Sequence, residues 1–298
     1  MKEEFRWINL GHRQIAKRMS VLLHRVIRKG VVKQLLKKHK FGNRKAGKLL
    51  SARIHVDRNA QFENIDVQKT LYQQMKWPIL SMDTKKKEQL GLYRDGTVYT
   101  VEQIKVPDHD FVSSSQGVFI PHGIYDVIQN KGYITIGNDH DTSEFACASL
   151  RNWWNDIGIK EYTNAQSILI LADGGGSNSS RHYIFKEDLQ KLAEEIGVEI
   201  RMAHYPPGTS KWNPIEHRLF CHITRSLKGV ILKSYEYGKK LLEETTTETG
   251  LTVVARILTG EFKTKRKYAK DFKDTMRIAF DDILPNWNYC ALPLPKST

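Results

Sequence analysis

The sequence predicts an α/β protein preceded by a small, basic, all-α segment, and two observations carry that expectation. From about Phe62 onward, short apolar runs alternate with stretches of helical period, as they do where strands and helices alternate in an α/β domain. Ahead of that point the charge is one-sided: residues 1–58 hold 17 Lys or Arg against 3 Asp or Glu, while the other 240 residues carry 30 of each sign. The whole net charge of +14 therefore sits at one end of the 298-residue chain. A length of that order suits one large domain and one small one, divided here into residues 1–60 and 61–298.

In the basic segment Ile15, Met19, Leu22 and Val26 recur at helical spacing, with Arg13, Lys17, Arg25 and Arg28 elsewhere on the surface. Gly30 then interrupts, and Val31–His39 forms a second short amphipathic helix in which Val31, Leu35 and Leu36 alternate with Lys33, Lys37 and Lys38. Two short helices around a loop, the second rich in cations, resemble a helix-turn-helix. So basic a segment draws a polyanion through Coulomb attraction and counterion release, which makes double-stranded DNA the expected partner and a solvated basic tail the bland alternative. Arg13, Lys17, Arg25, Lys33, Lys37 and Lys38 are its candidate DNA contacts, and Phe41–Arg58 reads as an arm or linker.

In the larger part, strands are expected at Ile79–Met82, Gly132–Ile136, Ser167–Leu171 and Val198–Ala203. Helices are expected at Ser143–Ile157, capped by Thr142 or Ser143, and at Lys186–Ile196, with Leu189, Leu192, Ala193 and Ile196 as the buried stripe. Another starts at Pro214, a residue suited to a first helical turn. Gly91–Phe111 reads as a hairpin through Asp95-Gly96. The sequence contains no apolar run long enough to cross a bilayer and no signal peptide at Met1–Phe5, so a cytoplasmic, nucleoid-associated protein is expected. Cys147, Cys221 and Cys290 lie far apart and read as buried thiols.

Three acidic residues stand at the ends of these elements. Asp83 closes the run Ile79-Leu80-Ser81-Met82, Asp173 closes Ile168-Leu169-Ile170-Leu171-Ala172 and precedes three glycines, and Glu216 lies in the first turn after Pro214. Singly, each is as well explained as a turn former or a helix-dipole partner. Together they could gather at one point, where hard divalent cations take oxygen ligands and clamp a phosphoryl group in transfer. Asp139-His140-Asp141 is a competing acidic cluster whose simpler role is to open the next helix. Lys85, Trp212, His217 and Arg218 flank the three carboxylates and are further candidate DNA contacts. Trp153 and Trp154 share a helix with Phe145 and Leu150, so at least one belongs in the core.

The run Pro206-Pro207-Gly208-Thr209-Ser210-Lys211-Trp212-Asn213-Pro214-Ile215-Glu216-His217-Arg218-Leu219-Phe220 resembles the third acidic motif of DDE transposases. With Ser81-Met82-Asp83-Thr84-Lys85-Lys86-Lys87-Glu88 and Leu171-Ala172-Asp173-Gly174-Gly175-Gly176-Ser177-Asn178, it makes the sequence similar to the Rhodopirellula-type DDE transposases of bacterial insertion sequences, from Arg13 to Tyr289. The resemblance implies an RNase H-like mixed sheet flanked by helices, with Asp83, Asp173 and Glu216 as catalytic residues holding two Mg²⁺ or Mn²⁺ ions. It further implies cleavage and strand transfer of DNA by a dimer or larger homo-oligomer. Such transposases usually begin with a longer helical region than the segment before Phe62, so the chain reads as shortened at its front. The competing readings are a DNA-binding relic or regulator without catalysis, and an RNase H-like nuclease that hydrolyses without joining.

Overall fold

The computed structural model describes residues 10–42, 55–91, 96, 101–102, 115–175 and 180–295. The chain divides into two compact units, residues 1–52 and 53–298.

The first unit contains α1 (His12–Leu22) and α2 (Lys29–Lys38). Two details differ from the periodicity. Helix α1 stops at Leu22, because Ser20 Oγ accepts from the Ile27 amide at 2.8 Å and donates to the Ala16 carbonyl at 2.8 Å, folding the chain back. Val26 is thereby left 86% exposed instead of extending the apolar face, and the buried residues are Ala16 and Val32. Gly30 lies inside the first turn of α2, where amides need no intrahelical acceptor and its cost is small. Arg13, Lys17, Arg25, Lys33, Lys37 and Lys38 are all exposed.

The second unit begins with α3 (Arg58–Met75), β1 (Ile79–Thr84), β2 (Glu88–Gln89), β3 (Val118–Asp126) and β4 (Lys131–Gly137). There follow α4 (Ser143–Trp153), which runs through a π turn into α5 (Ile159–Glu161), then β5 (Ser167–Ala172), α6 (Tyr183–Ile196) and β6 (Glu199–His204). A 3₁₀ turn at Ser210–Trp212 leads to a helix from Pro214 that includes a π turn, Glu216–Phe220, and ends as α7 (Cys221–Ser226). Helix α8 (Tyr235–Glu243), β7 (Thr252–Leu258), α9 (Phe272–Thr275), β8 (Ile278–Phe280) and β9 (Asn288–Ala291) complete it. The proposed hairpin at Gly91–Phe111 lies outside the described residues except Gly91, Gly96, Val101 and Glu102.

Among the described residues the strands form one mixed sheet in the order β7-β4-β3-β1-β5-β6-β9-β8, with β2 beside β3. Its centre, β4-β3-β1-β5-β6, has three antiparallel strands followed by two that run parallel to β1, the arrangement expected of an RNase H-like sheet. Strand β5 is buried throughout and therefore reads as an unbroken apolar run. Strand β3 is central too, although it contains Pro121. The Pro121 carbonyl accepts the Lys85 amide at 2.9 Å just past the end of β1, so the missing N–H lies on the side where the ladder has already ended.

Alternation sorts the side chains of β1 and β5 onto two faces. Leu80, Met82, Ile168 and Ile170 pack with Leu150, Trp153, Phe185 and Leu189 of α4 and α6. Ile79, Leu169 and Leu171 face the other way, onto Ile65 and Tyr72 of α3. The same face, over β3 and β4, carries the helix from Pro214, whose Ile215, Leu219, Phe220 and Ile223 pack with Tyr125, Ile134 and Ile136. Trp153 and Trp154 are both core, while Cys221 is exposed and donates to the His217 carbonyl, unlike the buried Cys147 and Cys290.

Candidate active site

Strand register brings the first two carboxylates together. Strands β1 and β5 are parallel neighbours in which Met82 stands beside Ala172, so Asp83 and Asp173 occupy the next step at the same end of the sheet. Asp83 is the penultimate residue of β1 and Asp173 directly follows β5. By alternation both project to the face that carries Ile79, Ser81, Leu169 and Leu171, the face that receives the helix from Pro214.

The third carboxylate reaches this face through hydrogen bonds with β1. Ser81 Oγ donates to Asn213 Oδ1 and accepts from the Ile215 amide at 2.9 Å, while Asn213 Nδ2 donates to the Met82 carbonyl at 3.4 Å. Ser81 and Asn213 are fully buried, so these bonds replace water contacts that both groups have lost. Ser81 in effect caps the helix whose first turn contains Glu216. Below it the sheet is smooth. A Cβ at Gly123, the residue opposite Asp83, would stand 2.5 Å from Phe220 and 2.9 Å from Ile215.

The Asp83 carboxyl is pushed up from 3.8 to about 7, first by burial and then by the negative charge of Asp173, with Glu216 and Asp141 adding to the rise. The Thr84 amide, donating at 2.7 Å, opposes it. Among the described residues, no Lys, Arg or His forms an ion pair with Asp83, Asp173 or Glu216. Oxygen donors with excess negative charge match the demands of a hard divalent cation. Among the described residues, no three His, Cys, Asp or Glu side chains are close enough to surround one ion.

Thr84, one step beyond Asp83, faces the other way. Its hydroxyl donates to Asp141 at 3.1 Å, and across the ladder it stands beside His122, which packs against Phe145 of α4. Asp141 is therefore held on the opposite face from Ser81 and the Pro214 helix. Asp139 accepts the Phe262 amide at 2.8 Å, and Thr142, not an aspartate, caps α4.

Asp173 is steadied from behind. His204, fully buried at the end of β6, makes a 3.0 Å contact from Nδ1 to the Asp173 carbonyl, which can only accept, so the proton lies on Nδ1. Nε2 then accepts from Tyr289 Oη at 3.2 Å. Burial, followed by the charge of Lys186, holds this imidazole well below its ordinary 6.5, at about 4, against the opposing pull of the Asp173 carbonyl. The Gly175 amide donates to Asp173 Oδ1 at 3.2 Å.

The flanking candidates occupy exposed positions. Trp212 is 54% exposed and touches Phe62 edge to face; His217 and Arg218 are exposed, with His217 Nε2 donating to the Lys211 carbonyl; Lys85 is half-buried. Sequence reasoning overlooked Ser81, Asn213, Gly123 and His204 as positioning residues. The available signals were a hydroxyl inside an apolar strand and an asparagine inside the quoted motif.

The family model for the Rhodopirellula transposase DDE domain matches residues 1–293. The chain belongs to that family of transposases. As members of a DDE transposase family, such enzymes use divalent metal ions and perform polynucleotidyl transfer. No curated protein matches the chain. Among solved structures it is similar to the Mos1 transposase paired-end complex with left transposon end, at 14% identity, covering 82% of this chain and 73% of that one with a TM-score of 0.46. The pre-cleavage Mos1 transpososome gives 16%, 82%, 72% and 0.47 in the same terms. Such scores are too low to add to the strand order described above. No described helix is long and apolar enough to cross a membrane.

Proposed function

We propose that Asp83, Asp173 and Glu216 are the catalytic carboxylates of this transposase, and that together they hold two Mg²⁺ or Mn²⁺ ions. The observation that supports the reading is the parallel register of β1 and β5, which sets Asp83 and Asp173 at the same end of the sheet, with the Glu216 turn bonded to β1 through Ser81. Ions bound there would supply Lewis-acid stabilisation of the attacking and leaving oxygens in an in-line phosphoryl displacement.

The chain's own residues then have distinct tasks. Ser81 and Asn213 hold the Glu216 turn against β1, and His204 holds the backbone of Asp173. Exchange of one phosphodiester for another needs no ATP, so positioning and charge stabilisation do most of the work. The exposed cations of α1 and α2, in a DNA-binding segment within residues 1–60, would grip the element's double-stranded ends. Lys85, Trp212, His217 and Arg218 would contact DNA beside the carboxylates of the 61–298 catalytic domain. The enzyme works beside bacterial DNA in the cytoplasm as a dimer or larger assembly.

Incubation with supercoiled plasmid and Mn²⁺ tests this. Asp173→Asn and Glu216→Gln should abolish nicking and joining while DNA binding persists; normal cleavage by either variant rejects the assignment. Nicking without any joined product would point to a nuclease instead.

A further inference from the structure

Around the β8–β9 connection lies a cavity of about 490 Å³ that none of the three carboxylates lines and that the reaction as described leaves unused. It is lined by Tyr183 and Lys186 of α6, Ser180 and Arg181 ahead of that helix, and Phe280 and Trp287 around the β8–β9 connection. His204 links it to the site: its amide donates to the Trp287 carbonyl at 2.9 Å, while its ring contacts the Asp173 carbonyl.

Lys186 is the unusual member. It is 3% exposed, its ammonium donates to the Ser180 carbonyl, and it lies 4.4 Å from the Tyr289 ring centroid and 6.0 Å from that of Phe280. No described carboxylate pairs with it. A buried ammonium without a counter-ion is costly, and burial accordingly lowers Lys186 from 10.5 to about 8. At the wall of a pocket whose lining also includes Asp57, such a charge is a candidate partner for a ligand anion. The apolar wall suits a flat ring: Phe280 is 40% exposed, and Trp287 meets His55 edge to face at 4.7 Å. The volume is that of a small-ligand pocket. A neighbouring depression shares Arg181 and Tyr183 with it and adds Lys267 and Lys270, so a polyanion leaving the pocket would continue over positive surface.

We propose that this pocket receives one unpaired nucleotide of a DNA strand, with its base against Trp287 and Phe280 and its phosphate toward Lys186 and Arg181. A continuous strand, not a free mononucleotide, is the occupant, because the basic depression extends beyond the space one nucleotide fills. This rests on the chain acting on DNA as proposed above.

The test compares binding of the full chain to a blunt duplex and to the same duplex bearing a few unpaired nucleotides, at fixed salt. Stacking of a base on an aromatic side chain predicts a preference for the overhang on the order of tenfold. Trp287→Ala and Lys186→Met should each erase that preference while leaving blunt-duplex affinity unchanged. Lys186→Met also removes the bond to the Ser180 carbonyl, so the exposed Phe280→Ala and Arg181→Ala provide variants that do not disturb the core and should likewise reduce the preference. No overhang preference in the parent, an undiminished preference in Trp287→Ala, or full displacement of the overhang DNA by equimolar dAMP each overturns the proposal. Failure of the carboxylate assignment would instead be seen as nicking that survives Asp173→Asn, whatever the overhang does.

Discussion

The pH dependence of stability tests the surroundings of Asp83, and with the Asp173 variant it tests the approach of the second carboxylate. In the folded chain its carboxyl titrates at about 7 instead of 3.8, chiefly through burial and next through Asp173. Below the unfolded value both states hold the proton and the group has no effect. Between the two values the unfolded chain ionises while the folded chain keeps its proton, so stability falls as pH rises. The penalty is complete once pH exceeds the folded value. At 1.36 kcal/mol per pH unit the difference corresponds to about 4 kcal/mol. Urea denaturation of the metal-free chain and of Asp83→Asn should therefore agree below about pH 3, and the variant should be more stable by about that amount at about pH 8. Asp173→Asn should show a smaller gain with the same shape, because it removes the second cause and leaves burial in place. Mn²⁺ at the higher pH should stabilise the parent and not Asp83→Asn. Parallel pH profiles for parent and Asp83→Asn would refute the reasoning.

Ser81→Ala leaves the Ile215 amide and Asn213 Oδ1 buried without their partner and should cost about 1–3 kcal/mol in denaturant, with slower nicking at unchanged DNA affinity. Gly123→Ala forces Phe220 and Ile215 away from the sheet and should cost about 1–3 kcal/mol, with loss of nicking greater than loss of binding. His122, held at about 4 chiefly by burial and with both ring nitrogens unpartnered, binds its proton more weakly folded than unfolded, so it draws stability down as pH falls from 6.5 through about 4. His122→Leu should flatten that acid limb of the melting profile. Replacing Lys33, Lys37 and Lys38 with alanine should lower the slope of log affinity against log salt by about 2–3 if each neutralises a phosphate.

What could be read beforehand follows from how each element is buried. Strand β5 has apolar neighbours on both sides and was visible as Ile168-Leu169-Ile170-Leu171; α6 shows its stripe at Leu189, Leu192 and Ala193, although it begins at Tyr183, earlier than the periodicity indicates. Strand β3 was invisible because Pro121, His122 and Gly123 break its apolar run, and each is tolerated for a tertiary reason: a ladder that ends, the packing of α4 and the approach of the Pro214 helix. Helix α3 hid its buried face because that face includes Gln61, whose amide donates to the His204 carbonyl at 2.9 Å and to Asn288 Oδ1 at 2.8 Å. Polar residues that spend their hydrogen bonds on distant partners look like surface in a periodicity count. The carboxylates were legible through their motifs, whereas the bonds that position them join residues 31 to 134 apart, which no local pattern contains.

The position of Ser81 two residues before Asp83 has a mechanical consequence. Residues two apart in a strand share a face, so the segment that presents the first carboxylate also grips the helix that presents the third. Asp173, in the adjacent parallel strand, is tied to the same segment by the ladder between Met82 and Ala172. A small displacement of β1 therefore carries all three acidic groups with it, and their mutual spacing changes less than their position relative to the rest of the fold. Charges that repel one another need such a frame: without it, the cheapest response of like-charged carboxylates is for one of them to move away. The buried hydroxyl and the glycine opposite Asp83 hold the Glu216 turn against β1, where its charge adds to the rise at Asp83 that a divalent cation would relieve on binding.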